Sequence, residues 1–184
     1  MSSPNQSSPR GETADLSDEK LLDDPLAQIL EVHLRQREIC AKIDVIAGAE
    51  TPVPADVSEV LVHMRRVLPV HVQDEEEDLF PMLRSRSEPG DEINATLDEL
   101  SDEHGSSWGE AKHAETILAR LAAEGGVPDR DEAAALIEYA AHERKHLIVE
   151  NAIVLPLARG LLTADDIATL SANMRKRRSN RDAV

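Results

Sequence analysis

Beyond residue 20, apolar side chains recur every three or four positions, the period of a helix with one buried face. Ile29, His33, Gln36, Cys40, Ile43 and Ala47 share such a face in a first helix. Asp24 is placed to cap it and Pro25 suits its first turn, while Gly48 to Pro54 ends it. A second helix is expected from about Ala55 to Leu83, with Val57, Leu61, Met64, Leu68, His71, Glu75 and Leu79 inward. Pro69 interrupts it and predicts a kink two residues before His71. After a turn at Pro89-Gly90, a third helix carries Ile93, Leu97, Leu100, His104, Ser107, Ala111, Ala114, Leu118 and Leu121 on one side, up to Gly125-Gly126. The fourth starts near Asp129 and turns Leu136, Tyr139, His146, Glu150, Ile153 and Leu157 inward. Thr163 and Asp166 then open a short helix with Ile167, Leu170 and Met174 as its apolar side and a basic end at Arg175, Lys176, Arg177 and Arg178.

The pattern predicts an all-α fold: an up-down-up-down four-helix bundle with a short C-terminal fifth helix. Residues 1–20, rich in Ser, Pro, Asp and Glu, are expected to be a disordered tail; residues 21–160 form the bundle, and 161–184 the short helix and basic tail.

Composition narrows the class. Of 184 residues 41% are hydrophobic, enough for one domain with a real core. Phe80, Trp108 and Tyr139 are the only aromatics, so the core is aliphatic, which favours helices over a β-sandwich. The formal net charge of −16 argues against nucleic acid or an anionic membrane as partner. Cys40 is the single cysteine, which excludes an intrachain disulfide or a cysteine zinc site. Met1 to Asp15 has no apolar run of the signal-peptide kind, and no segment reaches membrane-spanning length, so a cytoplasmic protein is expected.

The chemistry lies in a motif that occurs twice. His71 and Glu75 are four apart, with Pro81 ten residues after the histidine; His146, Glu150 and Pro156 repeat the spacing. An i,i+4 pair shares one helix face, so each copy aims an imidazole and a carboxylate at one volume. His33 and His104 add one histidine to each remaining inward stripe. A layer of ion pairs would satisfy such groups, but two carboxylates and four imidazoles converging in a core are the donors a transition metal takes. Each half of the chain then reads as a helical hairpin, His … His-x-x-x-Glu … Pro, and two hairpins around a pseudo-twofold axis give two equivalent metal positions.

The order His33 … His71-x-x-x-Glu75 … His104 … His146-x-x-x-Glu150 resembles the hemerythrin-like, or HHE cation-binding, domains. The words around it match as well: Glu75 to Pro81, Glu103-His104, and Glu150 to Pro156. The resemblance covers roughly residues 21–160 and implies two iron ions, bridged by carboxylates and an oxo or hydroxo group. Carried over, His33, His71, His104 and His146 are terminal metal ligands, and Glu75 and Glu150 bridge. Oxygen carriers of that family add a fifth histidine one turn from the third-helix ligand; here those positions are Leu100 and Trp108. The set of four histidines and two glutamates is instead similar to the di-iron domain of repair-of-iron-centres proteins. With two nitrogens per iron, each iron keeps an open position for O2, NO or peroxide.

Three functions follow. The first is a di-iron protein that binds or reduces a small oxidant. The second is a sensing module without turnover, read out through residues 161–184. The third is a structural site holding manganese or zinc, since first-row affinity order gives iron no protection from zinc. Among the remaining residues, Glu143 is placed to accept the second ring proton of His146, and His142 to be partly exposed. His63 reads as structural, His113 as solvated, and Cys40 as a core thiol. Trp108 is expected to fill core or shield the site, and Ser107, Ala111 and Ala114 to allow close packing.

Overall fold

A computed structural model describes residues 23–182 and contains five helices with no strand among them. They are α1 (Pro25–Gly48), α2 (54–86), α3 (Glu92–Glu124), α4 (130–161) and α5 (Ala164–Asp182). The tail at residues 1–20 lies outside the described residues.

Cross-helix pairs fix the topology. On α1 and α2, Arg35 reaches Glu59 while Lys42 reaches Asp56; on α2 and α3, Glu76 meets His104 while Arg65 meets Glu115. On α3 and α4, Glu103 meets His146 and Arg120 meets Glu132; on α1 and α4, His33 meets Asn151 and Arg144 meets Asp44. In each case numbers rise on one helix as they fall on the other, so every neighbouring pair is antiparallel, as predicted. The caps also match the sequence: Asp24 Oδ1 accepts from the Ala27 N–H at 2.9 Å, and Thr163 and Asp166 bond reciprocally at the start of α5.

Pro69 does not end α2. Twice in α2, at His63–Val67 and Glu75–Leu79, and once in α4, at Glu150–Val154, the helix widens into a π turn, and each is followed by a proline at the second position beyond it. A proline ring clashes with the carbonyl four residues back and offers no N–H. Here that carbonyl belongs to Arg65, Glu77 or Ala152, each in the middle of a π turn, where the backbone is already opened. The residue before each proline instead donates five residues back, to His63, Glu75 or Glu150. The ten-residue spacing from histidine to proline thus encodes a π turn that begins at the glutamate.

The extra residue changes the register of α4. Ile153 and Leu157, expected inward, are 39% and 37% exposed, whereas Val154 and Ala158 are buried. The inward face moves by one position because a π turn spends one more residue than an α turn.

The core falls into two apolar halves. One gathers Ile39, Ile43, Leu61, Leu118, Leu136 and Tyr139; the other gathers Ile29, Phe80, Leu83, Leu97, Leu155 and Leu170. Between them lies a polar layer. The fifth helix is longer than expected, 19 residues, and takes in the basic run. Leu170 and Met174 are fully buried against the bundle, and Arg177 and Arg178 hold Asp74 rather than trailing in solvent. Among the described residues no helix is long and apolar enough to cross a membrane.

Candidate metal centre

The polar layer contains all six residues singled out from the sequence. His33, His71, Glu75 and Glu150 form one group, and Glu75, His104, His146 and Glu150 a second; within each group the ligand atoms lie within 4.8 Å of one another. Glu75 and Glu150 belong to both. His33 Nε2 is 3.4 Å from Glu75 Oε1 and 3.4 Å from Glu150 Oε2. Glu75 Oε2 lies 3.4 Å from His71 Nε2 and 3.7 Å from His104 Nε2. Glu150 Oε1 lies 2.7 Å from His146 Nε2 and 3.9 Å from His104 Nε2. Each carboxylate therefore spans the two histidine pairs, whose rings sit 4.8 Å (His33–His71) and 4.6 Å (His104–His146) apart. Phe80 stacks on His104 from the apolar side.

Geometry and burial both fit a cation. Two donors roughly 2.1 Å from a shared ion, at angles of roughly 90–110°, lie roughly 3.0–3.4 Å apart. Three of the six nitrogen–oxygen separations, each 3.4 Å, are of this size, long for a charged hydrogen bond. Among the described residues, Glu75 Oε2, Glu150 Oε2 and His71 Nδ1 are buried with no hydrogen-bond partner. Orphaned buried acceptors of this kind are costly unless something positive sits among them.

The electrostatics say the same. Burial, and then the neighbouring Glu150 charge, push the Glu75 carboxyl well above the usual range. Glu150 is also opposed by burial, yet the imidazoles, His146 first, hold it at about 2. His146 is in turn raised to about 10, because Glu150 and Glu103 outweigh its burial. Burial, followed by the charge of His33, lowers His71 well below its ordinary value. Burial and mutual repulsion thus push the two carboxyls apart, Glu75 toward its neutral form and Glu150, beside His146, toward its charged form.

The outward nitrogens of the rings are anchored by residues the sequence reading did not assign. Nδ1 of His104 bonds Glu76 Oε1 at 2.6 Å, Nδ1 of His146 bonds Glu103 Oε2 at 2.8 Å, and Nδ1 of His33 bonds Asn151 Oδ1 at 2.9 Å. With Nδ1–H donating outward, Nε2 is the nitrogen that would face a bound cation. Glu76, Glu103 and Asn151 each stand next in sequence to a ligand candidate, Glu75, His104 and Glu150, and that adjacency was the available signal. Glu143, expected to serve His146, instead accepts from Gln36 Nε2 at 2.6 Å, and Gln36 Oε1 accepts from His63.

A cavity of about 230 Å³ adjoins the layer, lined by His71, His104 and His146 together with Leu68, Trp108, Glu143 and others. Ser107 borders this space; Ala111 lines it and also packs against the core, and Ala114 is buried in the core. Trp108 does not fill core: it is 59% exposed at the cavity's edge. His142 is partly exposed and pairs with Glu110 at 2.6 Å. His63 and Cys40 are buried, as expected.

Comparison with known families agrees with this geometry: the family model of the hemerythrin HHE cation-binding domain matches residues 24–158. No curated protein matches the chain.

Proposed function

The chain belongs to the hemerythrin HHE cation-binding domain family, and from that premise we propose a non-haem di-iron protein that binds or reduces O2, NO or peroxide. In this reading His33, His71, His104 and His146 are terminal ligands and Glu75 and Glu150 bridge the two positions. The observation that carries it is the pair of overlapping four-residue groups that share both carboxylates. Iron held by these residues would supply the electrons for reducing a small oxidant.

The protein's own groups do the rest. The two apolar core halves keep bulk water from the layer, so charges within it act at low dielectric. Glu76, Glu103 and Asn151 hold three rings in a ligating orientation. The cavity gives access: its 230 Å³ exceeds the roughly 30 Å³ share of one water several-fold. Glu143, fixed by Gln36, presents a carboxyl at the cavity wall.

Metal analysis and an absorption spectrum of protein from iron-replete cells test the reading. Expected are two irons per chain, near-ultraviolet charge-transfer absorption, and a change of spectrum with NO. Glu75→Ala and His146→Ala should each lose metal. A colourless zinc protein, or metal content unchanged in both variants, would overturn it.

A sensing module without turnover is the second reading. It is favoured by the contact of α5 with Asp74, the residue preceding Glu75, which gives occupancy of the layer a path to the C-terminal helix. Turnover of peroxide or NO by the purified protein separates the two.

A further inference from the structure

We infer that the two metal positions are unequal: the one formed by His104 and His146 holds its ion more tightly than the one formed by His33 and His71. The inference rests on the di-iron reading above and adds to it a division of labour that the symmetric ligand set does not contain.

The asymmetry lies in what holds the outward ring nitrogens. Both rings of the His104/His146 pair donate to carboxylates, Glu76 at 2.6 Å and Glu103 at 2.8 Å. At the other position His33 meets the neutral amide of Asn151 at 2.9 Å, and His71 Nδ1 is buried with no partner among the described residues. A carboxylate behind an imidazole draws its N–H proton outward and makes the opposite nitrogen a better donor; it also locks the ring. Loss of such a partner typically costs roughly 10–100-fold in metal affinity. One position has two of these partners and the other has none. Glu76 is 32% exposed and Glu103 58%, so water weakens Glu103 more and Glu76 carries the larger share. The hairpin repeat in the sequence hides this, because Glu76 and Asn151 occupy equivalent places after the two bridging glutamates but differ in charge.

Chelator-driven release of zinc from the zinc-loaded chain reads the difference without reference to activity. Expected are two phases of equal amplitude with rates at least about tenfold apart. His71→Gln should leave one slowly released ion, and His146→Gln one rapidly released ion. Glu76→Gln, and more so Glu76→Gln with Glu103→Gln, should accelerate the slow phase and bring the two rates within about threefold. Asn151→Asp should slow the fast phase from the other side, and it keeps the test decisive if the double variant does not fold. Mutual repulsion of two ions also gives two phases, but it predicts no response to these outer substitutions. Release at one rate in the parent protein, or a rate ratio untouched by Glu76→Gln and Asn151→Asp, would overturn the inference and leave the di-iron reading standing. A chain that takes up no ion would overturn both.

Discussion

Arg178 donates to Asp74 at 2.7 Å with both side chains buried, joining the last turns of α5 to the residue that precedes Glu75 on α2. Arg177 takes the second oxygen of Asp74 at 2.8 Å and also reaches Asp78, so one buried carboxylate holds two guanidinium groups. Removing one partner of a buried pair typically costs about 3–5 kcal/mol, since the other charge is left uncompensated. Asp74→Ala should therefore release the end of α5 and lower stability by a few kcal/mol. Hydrogen exchange should show faster exchange across α5 than in α1, and urea denaturation the loss; unchanged protection of α5 would mean that Leu170 and Met174 alone dock it.

Gly105 and Gly109 sit in the middle of the 33-residue α3, where no residue from 102 to 113 is buried and the cavity lies beneath. Neither has a positive φ, and a Cβ at either position would meet nothing within 4 Å. Alanine should then fit without strain and stabilise by about 1 kcal/mol at each site through helix propensity. A rise in the urea midpoint at constant slope checks this. A fall would mean that a side chain at these positions is not accommodated in the folded helix.

Much of this was legible in the sequence. The helix period gave four amphipathic segments, and the four histidines and two glutamates lay in their inward stripes, so their convergence needed only the bundle. What the period hid was register. Ile153 and Leu157 extend the stripe from Glu150 by three and seven, yet the π turn shifts burial to Val154 and Ala158. The proline six residues after each glutamate marked that turn, but it reads equally as a kink until the backbone is seen. The ring partners were hidden for another reason: Glu76, Glu103 and Asn151 lie one position off the stripe, and only the rotation of neighbouring helices decides what they meet. Trp108 was misplaced because it lies one position beyond the stripe residue Ser107, at the edge of the cavity, where it is 59% exposed.

Stripping metal should destabilise the fold more than loss of a surface ligand would, because it leaves Glu75 and Glu150 side by side in the dry layer. Ligand binding to the folded state adds about 4 kcal/mol when the free ion exceeds its dissociation constant a thousandfold. The melting temperature of metal-loaded protein should fall on chelation. Glu150→Gln, which removes the charge at nearly constant volume, should shrink that fall by weakening uptake. Equal melting temperatures with and without metal would place the ion elsewhere.

The pH response of stability has a separable component in His63. It is 3% exposed, donates to Gln36, and is held neutral: burial first, and then the Arg35 charge, lower it from its ordinary 6.5 to about 4. In the unfolded chain the same ring takes up a proton near 6.5. Between 6.5 and about 4 the unfolded state therefore binds more protons than the folded one, and stability falls as pH falls; above 6.5 neither state is protonated and the contribution is constant. At 1.36 kcal/mol per unit the whole interval amounts to about 3 kcal/mol. His63→Gln keeps a donor toward Gln36 and cannot titrate. Its stability at neutral pH should be lower than that of the parent, but its decline between pH 6.5 and 4 should be shallower by about that amount, as read from urea denaturation at a series of pH values. Parallel declines in the two proteins would show that His63 is protonated in the folded state and that acid lability comes from the glutamate–histidine layer alone.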